Sequence, residues 1–490
     1  MQPHPVIYEI NTWPWLERIG RRLGHPVTLG TVPEDVWDSI AVGPVDAVWL
    51  MGVWQRSPAG VQIALADGPL VDTFRAALPD YTSDDVVGSP YCIRDYVVDE
   101  HLGGCDGLAT ARAALAARGI GLILDYVPNH LATDHPWVTT HPERFVAGTT
   151  EDLDARPAEF VGVGGRVLAN GRDPHFPPWR DVLQLNAFHP ETVDATIDEL
   201  RGIAERCDGV RCDMAMLMTT DIFTRTWGDR VGPAPAQDYW TRVIPAVREQ
   251  HPGFLFVAES YWGTEQLLRS QGFDHCYDKA FTDALEHHPH EVARLIHHDP
   301  DPAGKVRFLE NHDEPRAQSV FGHRHRTAAL TALTQPGARL VHDGQADGRT
   351  TRLPVQLRRE PVEPVDPDLR DFYRTLLRAL NESPMRTGDF DPLHIHGWPD
   401  RPTGGLVAWA WTDACDASDG GGRHLIVVNL DDAAAAGRVQ TPWPALTGST
   451  ATLTDLLTGI DHYRPADPDE YVFVMLPGWG AHLLDVHIHP

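Results

Sequence analysis

Gly-Leu-Ile-Leu-Asp-Tyr-Val-Pro-Asn-His (121–130) is an apolar run that closes on polar and ionisable side chains. Three later segments repeat the pattern: Gly-Val-Arg-Cys-Asp (209–213), Phe-Leu-Phe-Val-Ala-Glu-Ser (254–260) and Phe-Leu-Glu-Asn-His-Asp (308–313). A parallel strand covered on both faces reads as a near-continuous apolar run. Ionisable groups are almost never fully buried without partners. Four such endings in order therefore describe parallel strands that converge on one polar site. That is the plan of a (β/α)8 TIM barrel, whose chemistry sits at the C-terminal face of its strands.

Four further runs, 6–10, 46–51, 273–277 and 338–342, complete a set of eight strands. Helical stretches fall between them at 107–118, 190–207 and 239–250, the second with Val193, Ile197, Leu200 and Ile203 at helical spacing. This alternation implies right-handed crossovers and places the chain in the α/β class. After residue 380 the pattern changes to short β-rich runs (406–411, 424–429, 451–455, 471–476) separated by Asp/Gly/Pro turns, with 414–422 reading as an exposed loop. The expected organisation is a barrel over 1–130 and 183–383, an insertion over 131–182, and a C-terminal antiparallel β-sandwich over 384–490 that covers the barrel.

The strand endings supply Asp125, His130, Arg211, Asp213, Glu259, His312 and Asp313. Retaining glycoside cleavage needs one carboxylate as nucleophile and one carboxylic acid as proton donor, roughly 5 Å apart. Asp213 and Glu259 are the natural pair. In these four motifs, their order and their separations, the sequence resembles the α-amylase family, glycoside hydrolase family thirteen, with the subfamily left open. The resemblance implies Asp213 as nucleophile, Glu259 as general acid/base and Asp313 as the third carboxylate, which binds and distorts the sugar. It implies Arg211 orienting the nucleophile, and His130 and His312 binding sugar hydroxyls. Asp125 is expected to brace Arg211 or the loop of His130 beneath the substrate. Residues 131–182 correspond to the family's domain B, here short. Its end, Asn-Gly-Arg-Asp-Pro-His-Phe-Pro-Pro-Trp (170–179), offers Arg172, Phe176 and Trp179 to the substrate, while Trp137 crowds the same insertion. Gly-Ser-Pro-Tyr-Cys-Ile-Arg-Asp-Tyr (88–96) resembles the family segment whose tyrosine stacks on the sugar, which is Tyr91 here.

The chain departs from starch-degrading members after the nucleophile. Asp213-Met-Ala-Met-Leu-Met218 carries no Lys-His pair of the kind that serves acceptor sugars and a structural calcium. Asn129 matches a family calcium ligand, but calcium takes six to eight oxygens. No residue is assigned as a metal ligand, no organic cofactor is called for, and calcium is the one ion the resemblance raises.

The net charge of −28, from 41 basic and 69 acidic residues, argues against nucleic acid or an anionic membrane as partner, since both need a basic footprint. It suits a small neutral carbohydrate. Six cysteines without a C-x-x-C pair are too sparse for a disulfide scaffold and read as reduced thiols. Alternation along the strand turns Cys212 away from the side of Asp213. No secretory signal pattern opens the chain and no apolar stretch approaches the roughly 20 residues of a membrane helix, so a cytoplasmic enzyme is expected.

The leading functional reading is a retaining α-glycoside hydrolase acting on short α-glucosides or maltooligosaccharides. The alternative is a transglycosylase or glycoside phosphorylase, which would use the same covalent intermediate with a different acceptor. A non-catalytic sugar-binding relative is the third reading. All three carboxylates being present argues against it.

Overall fold

A computed structural model describes residues 2–398, 403–413 and 421–489. Its centre is a closed barrel of eight parallel strands: Val6–Asn11, Ala47–Met51, Gly121–Tyr126, Gly209–Cys212, Leu255–Ala258, His275–Tyr277, Lys305–Arg307 and Ala338–His342. Each strand pairs with its neighbours in chain order, and the eighth closes on the first. The interior is filled by Ile7, Trp49, Ile123, Leu255, Val257, Phe308 and Leu340, so the barrel is a packed core rather than a pore.

Two glycines allow the strands to close up. A Cβ on Gly209 would lie 2.6 Å from the Cβ of Leu255, and one on Gly337, at φ +97°, would lie 2.4 Å from the carbonyl oxygen of Lys305. Outside the barrel, the helix Pro190–Ala204 buries Val193, Ile197, Leu200 and Ile203, the face its spacing predicts. It ends three residues earlier than the sequence suggests.

The seventh strand differs from expectation. It stops at Arg307, so the segment 308–313 lies beyond the ladder rather than in it. The Phe308 carbonyl accepts from the Thr282 hydroxyl at 2.8 Å, and Glu310 turns to Arg316 at 2.9 Å. These side-chain partners replace strand pairing.

The insertion is more ordered than its composition indicates. It forms an antiparallel sheet with strands in the spatial order His130–Ala132, Trp179–Gln184, Arg166–Gly171 and Phe160–Val163. The sheet begins at His130 itself, so one candidate residue is held by a strand rather than a loop.

The C-terminal region comprises a six-stranded and a three-stranded antiparallel sheet. Strands at Asp389–Leu393, Ile395–Gly397, Ala435–Gln440, Ile460–Arg464 and Ala481–His489 add to the four read from sequence. Residues 414–420, most of the loop expected there, and Cys415 lie outside the described residues. The other five cysteines are free. No helix among the described residues is long and apolar enough to cross a membrane.

The strand Leu406–Thr412 welds this region to the barrel by its period of two. Ala408 and Ala410 face the sandwich core with Leu425 and Val427. Trp409 and Trp411 face the barrel helices, and both indoles donate to Thr334, to its hydroxyl at 3.1 Å and its carbonyl at 2.8 Å. Trp411→Ala therefore opens a cavity at the seam, and such truncations cost about 3–5 kcal/mol. The urea midpoint is expected to fall markedly, with Tyr463→Ala, at an exposed site, as the neutral control. Equal midpoints for the two variants contradict the weld.

Candidate active site

The site is built around one buried cation. Alternation along the fourth strand turns Val210 and Cys212 toward the helices and Arg211 and Asp213 toward the barrel axis. Arg211 stands in register with Asp125 of the third strand. Its Nη1 lies 2.7 Å from Asp213 Oδ1 and 3.8 Å from Asp125 Oδ1, and its Nη2 lies 2.7 Å from Glu259 Oε2. The rings of Trp49, Tyr91 and Tyr277 surround the guanidinium at 5.3, 5.2 and 5.8 Å. A buried charge of this kind is tolerated only with close, hydrogen-bonded partners.

Glu259 is fixed from three sides. Besides Arg211, it accepts from the Met214 backbone N–H at 2.6 Å and the Tyr261 hydroxyl at 2.9 Å. Met214 reaches it from a left-handed conformation, φ 42°, which costs a residue with a Cβ roughly 1–2 kcal/mol. The buried Trp240 indole holds the same turn by donating to the Ala215 carbonyl at 2.9 Å.

Asp313 belongs to a second chain of charges. His312 stands between Glu9, 2.5 Å from its Nδ1, and Asp313, 2.9 Å from its Nε2. The Tyr91 hydroxyl also lies 2.5 Å from Nε2. Both ring nitrogens are thus engaged within the protein. The resemblance gives His312 to sugar hydroxyls; in the structure its ring meets Glu9, Asp313 and Tyr91. The Asp313 side chain is 42% exposed and opens on the cleft.

The carboxyls differ in proton affinity. Burial pushes Glu259 up to about 7; Asp213 and Asp313 add to the rise, against the opposing Arg211. Burial also raises Asp213, and Arg211 limits that rise rather than reversing it. Against the desolvation of the cleft, the His312 imidazolium holds Asp313 at about 2. His312 itself loses affinity through burial, but Asp313 and Glu9 outweigh that and raise it well above the usual range. Burial lowers His130 to about 4, so its ring is neutral near pH 7.

Asp213, Glu259 and Asp313 line a cavity of about 350 Å³ together with Tyr91, His130, Trp179 and Tyr261. Trp179 packs on His130, ring centroids 5.1 Å apart. Asp125, 1% exposed, does not line this cavity; it accepts from Gly52 N–H at 3.1 Å and faces Arg211. A larger chamber of about 720 Å³ adjoins it through Met214 and Tyr261 and is lined by Phe176 and Trp262. Arg172 reaches neither cavity. It binds Glu159 and the Thr226 carbonyl, both at 2.8 Å, and stacks on Trp227. The expectation that it meets substrate is corrected: a nearby carboxylate and indole compete for it. Trp137 likewise packs against Arg144 inside the insertion.

Sequence reasoning missed Glu9, Tyr261, Met214 and Trp262. Glu9 had a usable signal, a lone carboxylate inside the apolar run 6–10. Tyr261 and Trp262 stand two and three residues after the acid, but neither residue type marks a site by itself.

The side-chain oxygen of Asn129, the residue that matches a family calcium ligand, accepts from the Gln184 amide at 2.8 Å.

No family model matches the chain, and no curated protein matches it in sequence. Solved structures do match in shape. An α-amylase from Lactobacillus plantarum is 21% identical with a TM-score of 0.69, covering 99% of both chains. A noncanonic maltogenic α-amylase from Thermotoga neapolitana is 18% identical with a TM-score of 0.69, again over 99% of both. A debranching enzyme from Nostoc punctiforme is 17% identical with a TM-score of 0.67, over 99% of this chain and 98% of its own.

If Glu259 donates a proton in turnover, activity requires its protonated form. That form is complete below about 7 and is lost as pH rises through it. The profile of kcat/KM for an α-glucoside is expected to show its alkaline limb near 7. A limb two or more units higher contradicts this assignment. In fold, over nearly its whole length, the chain is similar to the α-amylases and debranching enzymes.

Proposed function

We propose that the chain is a retaining α-glycoside hydrolase of the α-amylase family, acting on short α-glucosides or maltooligosaccharides. The observation that carries this reading is the single Arg211 guanidinium holding an oxygen of Asp213 and an oxygen of Glu259, each at 2.7 Å. One fork binding both carboxyls favours the separation of about 5–5.5 Å used in retention over the 6.5–9.5 Å that leaves room for an inverting water. In the first step Glu259 gives its proton to the glycosidic oxygen while an Asp213 oxygen bonds to the anomeric carbon and the sugar–oxygen bond breaks. The leaving group departs as an alcohol, and a glycosyl ester remains on Asp213. Glu259, now ionised, takes a proton from water, whose oxygen attacks the same carbon and frees Asp213. Asp313 stays anionic beside the oxocarbenium-like centre, and Tyr91 offers an aromatic face to the ring.

Asp213→Asn, Glu259→Gln and Asp313→Asn are each expected to lower kcat by at least about a thousand-fold, because groups in one transition state act as a unit. Circular dichroism is expected to be unchanged. Near-normal turnover in any one of them removes that residue from its role.

The substrate size is argued from volume and surroundings. A cavity of about 350 Å³ is near the low end of ligand pockets, about 300–1,000 Å³. The adjoining chamber, with Phe176 and Trp262, suits the leaving group or an acceptor sugar. Transglycosylation is therefore the second reading. Phosphorolysis is disfavoured there, because six carboxylates line the chamber against four Lys and Arg residues. Lys279 and Arg307 are moreover already held by Asp283 and Asp299. Each extra productive subsite appears as transition-state binding energy gained with chain length. Measured against oligosaccharide length, kcat/KM is expected to level off by about four sugars, with small products released from chain ends. A continued steep rise, or rapid loss of starch viscosity, contradicts a short-substrate enzyme.

A further inference from the structure

Far from the cleft, three strands of the C-terminal six-stranded sheet bring together two imidazoles and a carboxylate. Asp455 ends the strand Thr450–Asp455, His462 lies in the strand Ile460–Arg464 at the sheet edge, and His482 is the second residue of Ala481–His489. The register pairs Leu453 with His462 and Asp455 with Leu484. Period-two alternation then sets Asp455, His462 and His482 on one face. One ligand atom from each lies within 4.8 Å of the others.

The carboxylate has one backbone partner, the Leu457 N–H, which donates to its Oδ1 at 3.0 Å. Asp455 is 1% exposed and stands beside Leu453 and Leu484 of an apolar sheet face. A buried carboxylate is costly unless paired or bound to a metal. Among the described residues, the one side chain within ion-pair distance is His482, whose Nδ1 lies 2.8 Å from Asp455 Oδ2. Arg464 pairs with Ala451 toward the other end of the strand, and its guanidinium donates to backbone carbonyls, including those of Tyr471 and Leu446. His462 stands over His482 with ring centroids 5.2 Å apart, an arrangement that gains nothing from hydrogen bonding between the rings. The two imidazoles line a cavity of about 390 Å³, which gives an ion a way in.

We propose that Asp455, His462 and His482 form a binding site for a divalent transition metal, with zinc the ion whose preferences fit best. Zinc takes His nitrogen and carboxylate oxygen at about 2.0–2.2 Å in tetrahedral sites, whereas calcium and magnesium want shells of oxygen. Tetrahedral bonds of that length need donors roughly 3.3 Å apart, a closure that rotation of the exposed His462 ring supplies. A fourth position is left for water. Imidazole also binds copper and nickel, so the donor set selects a class of ions and zinc is the most available member suited to four-coordination. The bound ion would clip the edge strand Ile460–Arg464, which is paired on one side, to the strand Ala481–His489. It deepens nothing in the proposed catalysis and is independent of it. The sequence reading assigned no metal ligand, because the three residues are spread over 28 positions without a recognisable spacing.

The test uses the full chain stripped with chelator and dialysed, then titrated with zinc sulfate by calorimetry, with bound metal counted by elemental analysis. The wild type is expected to bind one zinc per chain and to melt at a higher temperature when loaded, since a ligand specific for the native state stabilises it. His462→Ala, at an exposed position, folds normally, retains wild-type turnover and loses both the bound zinc and the thermal shift; His482→Gln loses them as well. Calcium or magnesium at the same concentration leaves the melt unchanged. Binding well below one equivalent in the wild type, or a full equivalent retained by His462→Ala, overturns the proposal.

Discussion

The fork of Arg211 is the contact on which the cleft depends. A guanidinium is planar and permanently charged, so its two terminal nitrogens can hold two carboxylates in fixed relation. Asp213 and Glu259 occupy those positions, Asp125 supports the cation from the neighbouring strand, and three aromatic rings enclose it. The barrel makes this possible. Strand register sets Arg211 opposite Asp125, and alternation points both away from the apolar layer between strands and helices.

A second chain, Glu9–His312–Asp313, separates the tasks of the carboxyls. His312 is charged because two carboxylates flank it, and in turn it keeps Asp313 ionised. Glu259 has no such private cation. It shares Arg211 with Asp213, stands in the field of two other carboxylates and is buried, so its proton is held to about 7. Environments that push neighbouring carboxyls apart in pKa are the physical basis for one acting as acid while another stays anionic. The first barrel strand thus contributes to the cleft through Glu9, though none of its residues lines the cavity that holds the three acids.

The barrel was legible in the sequence because its strands are apolar runs with polar ends, and that signal is local. The seventh strand was misplaced for the same reason: 308–313 is apolar then polar, yet its carbonyl and acid find side-chain partners instead of a ladder. Arg172 shows the limit more sharply. Its position in the insertion suggested substrate, but Glu159 and Trp227 claim it, and nothing local announces partners 13 and 55 residues away. His312 sits between Glu9 and Asp313, and the carboxylate at its Nδ1 comes from residue 9, a partner that nothing near position 312 announces. The alternating Ala and Trp of 406–412 carried a two-faced strand in plain view, while which face meets the barrel depends on Thr334, far off in the chain.

The central claim is that an Asp213 oxygen becomes bonded to the sugar. It is tested most directly by mass spectrometry of the protein quenched during turnover of an activated fluoro-α-glucoside, whose glycosyl ester hydrolyses slowly. The account predicts an added mass of one glycosyl unit, located on the peptide that contains Asp213, absent in Asp213→Asn, and a product sugar released first as the α-anomer. An unmodified protein that releases the β-anomer contradicts the account, because an inverting enzyme forms no such ester.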